Sequence, residues 1–198
     1  MDPKIWNPVL DGVGIILAIG IPLVFLWRRR RERLEKLTRL TAGLGGEAKV
    51  GWIGDSYVRL RSAGGEVRVR LLPADLQGAD YLEFQHMTPL GFNLSIAKAD
   101  AASRTLQRWG LFQVVKTGDP GLDDHYVIRG SDPARVTGFI QGPGRREAID
   151  YFLRSGFNLI QARPDGLVAQ KTAYQSSDFE PARLRSHLEQ LGRLAGKP

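Results

Sequence analysis

The spacing of apolar and polar positions changes character along the 198-residue chain. Val9 to Trp27 reads VLDGVGIILAIGIPLVFLW, with Asp11 its one charge. With Pro8 and Asp11 placed in the headgroup region, this run predicts a transmembrane helix over 9–27. Trp6 and Trp27 flank it, about 31 Å apart along a helix axis, which matches the hydrocarbon thickness of a bilayer. An indole, apolar in body with one N–H to satisfy, favours each interface. Arg28, Arg29, Arg30, Arg31 and Arg33 follow at once. Such a cationic flank stays on the cytoplasmic side, so residues 1–8 are expected outside and the C-terminal part inside.

Residues 28–47 read as a basic juxtamembrane helix and a Gly linker. Leu34, Leu37 and Leu40 recur at steps of three, Glu32 and Lys36 form an i,i+4 pair, and Gly43, Gly45 and Gly46 end the helix. The leucine stripe is read first as part of a solvated stalk, and second as a partner-helix or lipid contact.

From Ala48 the period is two. YVRLRS at Tyr57–Ser62 and EVRVRL at Glu66–Leu71, joined through Ala63-Gly64-Gly65, predict a β-hairpin. Val58 and Leu60 then face a core opposite Val67, Val69 and Leu71, while Arg59, Arg61, Arg68 and Arg70 share the other face. Tyr81–Met87 and Phe92–Ala97 add two strands. A helix over Ala99–Trp109 and strand segments at Val114-Val115 and Tyr126–Ile128 come next. Asp132-Pro133 opens a helix as cap and first residue, and a second helix runs from Arg145 to Ser155. Asn158–Lys171 reads as a hairpin turning at Pro164-Asp165-Gly166. Asp178–Leu194 is an amphipathic helix with Leu184, Leu188, Leu191 and Ala195 as its stripe. The expected fold class is α+β: a transmembrane helix, an antiparallel β-rich half over 48–115, and a mixed helix and hairpin half over 116–198.

Composition narrows the chemistry. Without cysteine, disulfides, thiolate metal sites and cysteine nucleophiles are excluded. The net charge of +7 is uneven: residues 1–39 hold eight Lys/Arg against four Asp/Glu. An excess beside an apolar run points to membrane topology rather than to a nucleic-acid-binding face.

The segment VKTGDPGLDDHYVIRGSDP at Val115–Pro133 resembles a motif of uncharacterised bacterial membrane-anchored proteins. In that family a β-rich half precedes T-G-D-x-x-F-D-x-x-F-x-V and a D-P helix start. Thr117, Gly118, Asp119, Asp123, Tyr126, Asp132 and Pro133 match, and PLGFNLSI at Pro89–Ile96 is similar to the strand before the motif. Leu122 replaces an aromatic residue and Ile128 a valine. The resemblance spans about residues 48–194. It implies the fold and membrane attachment and brings no activity. On their own composition, Asp119 and Asp123 are turn and cap residues rather than an acid/base pair.

Candidate chemistry is sparse. Gly54-Asp55-Ser56 is similar to the first block of GDSL-type hydrolases, but the partner Asp-x-x-His is missing, since Leu184 stands three residues before His187. His86, His125 and His187 lack metal spacing, and the adjacent Asp123, Asp124 and His125 point in different directions. Gly142-Pro143-Gly144-Arg145-Arg146 leads into a helix and reads as a plain loop before it reads as an anion site. The Arg59, Arg61, Arg68 and Arg70 face reads as a wet sheet face, with an anionic contact as its functional alternative. Nucleic acid is not expected, because no aromatic residue is read onto that face for base stacking.

The expectation is a non-catalytic accessory or scaffold protein, with no catalytic residue, no cofactor and no metal. It is placed single-pass in the bacterial inner membrane as a small subunit of a larger complex, respiratory or photosynthetic in kind. Its expected partners are the lipid bilayer and other membrane-protein subunits. The alternatives are a membrane-anchored module that binds an anionic ligand or lipid headgroup through Arg59, Arg61, Arg68, Arg70, Arg145 and Arg146, and, last, an enzyme.

Overall fold

The computed structural model describes residues 24, 27, 28, 31, 32, 34–39, 44–50, 56–62, 65–72, 81–99 and 114–196. Their strands form one eight-stranded antiparallel sheet. A meander opens it: β1 (Glu47–Val50), β2 (Ser56–Ser62), β3 (Gly65–Leu72) and β4 (Tyr81–His86). β5 (Leu94–Lys98) and β6 (Tyr126–Gly130) form the far edge. The hairpin of β7 (Leu159–Arg163) and β8 (Gly166–Lys171) is inserted between them, so the spatial order is β1-β2-β3-β4-β8-β7-β5-β6.

Register explains why the sheet has one apolar side. Ala48, Val58, Val69, Phe84, Ala169, Ile160, Ile96 and Ile128 are successive cross-strand partners, one from each strand. Side chains alternate with a period of two, so this single row sets the facing of every strand. Its members from Val58 to Ile128 are buried. The hairpin turn brings Gly166 against β4, where a Cβ would overlap the His86 carbonyl, so only glycine fits there.

Helices cover the apolar side. They are α1 (Pro120–Asp123), α2 (Pro133–Ile140), α3 (Arg145–Arg154) and α4 (Pro181–Leu194), with a 3-10 turn at Ser176–Phe179 before α4. Val136, Phe139 and Ile140 of α2 and Ile149, Phe152 and Leu153 of α3 enter the same core. The final helix starts three residues later than its pattern suggests. Pro181 occupies its first turn and holds Glu180 extended. Its buried stripe is Leu184, His187, Leu191 and Leu194, with Leu188 only partly buried.

The expected fold class needs correction at its N-terminal end. Among the described residues no helix is long and apolar enough to cross a membrane, which overturns the single-pass architecture and the inner-membrane placement built on it. Of the expected span 9–27 only Val24 and Trp27 are among the described residues, both helical and exposed; Trp6, Arg29, Arg30 and Arg33 lie outside them. The described part of this first helix is charged. Arg28 pairs with Glu32 at 3.5 Å and Arg31 with Glu35 at 3.6 Å, and the Arg31 guanidinium lies over the Trp27 ring. Nor is it a free stalk. Leu37 is fully buried in the core. Lys36, expected to pair with Glu32, donates to the Tyr174 hydroxyl at 3.2 Å. The two-half picture is corrected too, because β8 pairs with β4 and joins residues 48–115 and 116–198 in one sheet. The helix expected over Ala99–Trp109 falls outside the described residues apart from Ala99, which precedes none of the described helices directly.

Two polar contacts lie inside the core. Lys171 and Asp178 are both buried and meet at 2.8 Å. The lysine also donates to the Ser155 carbonyl at 2.8 Å, and Asp178 accepts from the Gln175 N–H at 2.7 Å, so each charge has further hydrogen bonds. His187 is only 1% exposed. Its Nδ1 lies 2.9 Å from the Tyr151 hydroxyl, and Phe84, Phe157 and Phe152 surround its ring at centroid distances of 5.1–6.1 Å.

Burial, reinforced by Lys171 and Arg183 against the opposing pull of Asp178, lowers the His187 pKa to about 4. A histidine kept neutral in the fold but titrating near 6.5 when unfolded gives full stability above pH 6.5. That contribution is lost as pH falls from 6.5 towards 4, by about 3 kcal/mol in all. We therefore expect the stability difference between the wild type and His187→Gln to shrink by about that amount over this interval. Urea unfolding at a series of pH values measures it, and parallel curves for the two proteins would contradict the assignment.

Candidate functional site

Two surfaces gather the residues singled out in the sequence. The first is the sheet face away from the core. Arg59 pairs in register with Arg68, and Tyr57 with Arg70, so both rows of the hairpin point their cations the same way. Val58, Leu60, Val67, Val69 and Leu71 occupy the opposite, buried side. Arg59 and Arg68 share the Glu66 carboxylate at 3.1 and 2.9 Å, while Arg61 is exposed. Arg70 approaches Glu83 at 3.8 Å.

Glu83 is fully buried on this face. It also accepts from Arg163 at 3.2 Å and from the Gln170 amide at 2.7 Å. Those three neighbours explain how a carboxylate is accommodated without contact with water. Gln85, beside it on the strand, donates to Asp165 at 2.6 Å. The expectation of a face without aromatic residues is corrected here. Tyr57 belongs to it, and the Arg68 and Arg70 guanidinium groups lie 5.2 and 5.9 Å from its ring centroid. The signal was present in the sequence: Tyr57, Arg59 and Arg61 share one parity.

The second surface is a cleft of about 400 Å³ where the Thr117-Gly118-Asp119 turn meets the Gly142–Arg146 loop. These segments are over twenty residues apart in the chain, and the fold brings them together. Pro120 opens α1 with Asp119 as its cap, whose Oδ1 accepts from the Gly121 N–H at 2.9 Å. The other oxygen of Asp119 reaches Arg146 at 2.7 Å. Gly118 takes a left-handed φ of 79° to make this turn.

Asp123 closes the turn from the other side. It accepts from the Thr117 N–H and hydroxyl, both at 3.0 Å, and from the Gly118 N–H at 3.2 Å. Burial opposes its charge, but those three hydrogen bonds and nearby Lys116 outweigh burial and hold the carboxyl below its ordinary value. Both aspartates are thus occupied as cap and turn residues. Arg145 is also engaged: it donates to the Phe139 carbonyl at 3.3 Å and stacks over that residue's ring at 4.4 Å.

The remaining sequence candidates are dispersed. Ser56 begins β2, while Gly54 and Asp55 lie outside the described residues. His187, the histidine that a serine hydrolase would need, is enclosed by aromatic rings with Nε2 buried and lacking a hydrogen-bond partner. His125 is exposed and stacks edge-on to Tyr126.

Replacing Asp123 by Asn leaves one acceptor oxygen for three donors and turns an amide N–H towards them. We expect Asp123→Asn to cost about 1–2 kcal/mol near neutral pH. The carboxylate's contribution is present above the unfolded value and is lost as pH falls through the lowered folded one, so the gap to the wild type should close in strong acid. Urea midpoints at neutral and acidic pH test both statements. Asp119→Asn, which retains the cap oxygen and loses only a partly exposed ion pair, should cost less than about 1 kcal/mol.

No protein-family model matches the chain, and no curated protein matches it. Among solved structures, the fold is similar to that of the mycobacterial trehalose monomycolate transport factor A, TtfA, with a TM-score of 0.50 and 8% identity. The similarity covers 81% of this chain and 93% of that one. At this identity the likeness is one of fold.

Proposed function

We propose that this chain is a non-catalytic accessory protein that docks an acidic surface of a partner protein onto the outer face of its sheet. The observation that carries the proposal is the shared facing of Arg59, Arg61, Arg68 and Arg70 with Tyr57 on two adjacent strands. Planar guanidinium groups on a rigid sheet suit bidentate contacts to carboxylates, and a ring held among them adds apolar area. Glu66 and Glu83 hold three of these arginines within 4 Å, which fixes their side chains before a partner arrives and lowers the entropy lost on docking.

The state of the second surface supports a non-catalytic role. Asp119 at its wall and Asp123 behind the turn are bound to backbone N–H groups, Asp119 also to Arg146, and no histidine lines the cleft. The name of the TtfA neighbour describes a transport factor, which is in keeping with an accessory role.

The test is native-size analysis of the protein from its source at low ionic strength, followed by identification of what co-migrates. The wild type should run in an assembly well above its own 22.0 kDa, and added salt should release it. The triple Arg→Gln variant at 59, 61 and 68, which leaves Arg70 in place beside buried Glu83, should run free while keeping its thermal midpoint. A wild-type protein that migrates alone, or a variant that stays in the assembly, would overturn the proposal.

A further inference from the structure

A third surface lies on strands away from the arginine hairpin. It is a groove of about 420 Å³ at the end of β5, β6 and β7. Register builds it. Ser95 pairs with Arg129 on one side and with Gln161 on the other, so a hydroxyl, a guanidinium and an amide stand in one row. Asn93, Ser131 and Arg163 complete the polar lining.

The composition of this lining distinguishes it from the cleft at Asp119. There, two carboxylates, Asp119 and Glu147, share the walls with Arg146, and one of them already binds that arginine at 2.7 Å. Here no acidic side chain is among the lining residues, which hold two arginines and four neutral hydrogen-bonding side chains. Arg163 is oriented by Glu83, which accepts from one terminal nitrogen at 3.2 Å, and by Gln161, which accepts from Nε at 2.9 Å. A guanidinium carries five N–H donors, and these two contacts use two of them. The Asn93 N–H donates to the Ser131 hydroxyl oxygen at 3.3 Å, which fixes that oxygen and leaves its hydrogen to be directed elsewhere.

We infer that this groove binds a phosphate-class oxyanion, with Arg129 and Arg163 supplying the charge and Ser95, Ser131, Asn93 and Gln161 supplying the further donors. An oxyanion with several acceptor oxygens satisfies several donors lining one groove, and the guanidinium groups of Arg129 and Arg163, from the two strands that flank β5, can share it. The same chemistry describes inorganic phosphate and a phosphomonoester lipid headgroup. The groove lies on the same outer side of the sheet as the docking arginines, in one cross-strand row that runs from Arg59 and Arg68 through Gln161 and Ser95 to Arg129, but Arg59, Arg61, Arg68 and Arg70 do not line it.

The experiment titrates the full-length chain with inorganic phosphate at low ionic strength and follows heat or amide shifts. The wild type should saturate, Arg129→Gln should weaken binding at least about tenfold, and Arg193→Gln, on the last helix and outside the groove, should stay within about twofold of the wild type. Should Arg129→Gln fail to fold, Ser131→Ala takes its place, with an expected loss of about threefold to tenfold. A second arm uses phosphatidylcholine vesicles with and without phosphatidic acid. Arg129-dependent binding to the phosphatidic acid vesicles identifies a headgroup site, and phosphate binding without vesicle binding identifies a soluble anion. The inference is overturned if phosphate does not saturate, or if Arg193→Gln weakens it as much as Arg129→Gln, which would mean diffuse charge attraction. Because Arg129→Gln leaves the docking arginines intact, native-size behaviour should not change, and the two proposals can fail separately.

Discussion

The row of cross-strand partners from Ala48 through Val58, Val69, Phe84, Ala169, Ile160 and Ile96 to Ile128 is the constraint that organises this protein. A slip of one residue in any strand would turn that strand's apolar side chains towards water and its polar ones into the core. Fully burying one such side chain stabilises the fold by about 1.5–3 kcal/mol, so a slip forfeits several of these at once. The same alternation that buries Val58 and Val69 places Arg59 and Arg68 on the opposite side. Core and charged face are therefore two consequences of one register, and neither can be altered alone.

Local features of the fold were legible in the sequence because they depend on neighbours in the chain. The Arg59/Arg68 hairpin followed from strict alternation on either side of Ala63-Gly64-Gly65. The start of α2 followed from Asp132-Pro133, and the β7–β8 turn from Pro164-Asp165-Gly166. The pairings of β4 with β8 and of β5 with β7 were not legible, since no local pattern names a distant partner. This is why one continuous sheet was read as two halves. His187 belongs to the α4 stripe although histidine is polar, because it lies one turn from both Leu184 and Leu191. An apolar enclosure and the Tyr151 hydroxyl make its burial acceptable.

The candidate surfaces show the same division. Parity alone places the four hairpin arginines on one face, and Tyr57 shares that parity. The meeting of Asp119 with Arg146 needed the fold, as did the row Arg129, Ser95 and Gln161. At the N-terminal end, the apolar run dominated the reading and hid a different property of the residues that follow it. Glu32 and Glu35 answer Arg28 and Arg31 one turn earlier, and Leu37 is drawn into the domain. The helix is tied to the core by an apolar anchor rather than hanging from a collar of charge.

The strand order also bears on how the chain acquires its shape during synthesis. The hairpin that fills the gap between β4 and β5 in the finished sheet comes last among its strands, at Leu159–Arg163 and Gly166–Lys171. Until the ribosome has released them, β4 and β5 each present an inner edge with unsatisfied backbone groups. At about 5–20 residues per second, β4 waits several seconds for its neighbour. Throughout that delay the nascent meander exposes the kind of edge that pairs indiscriminately with other chains. Buried Glu83 and Gln85 lie on that waiting strand. Before they are enclosed, their polarity works as a safeguard, making the edge a poorer template for aggregation than an all-apolar strand would be.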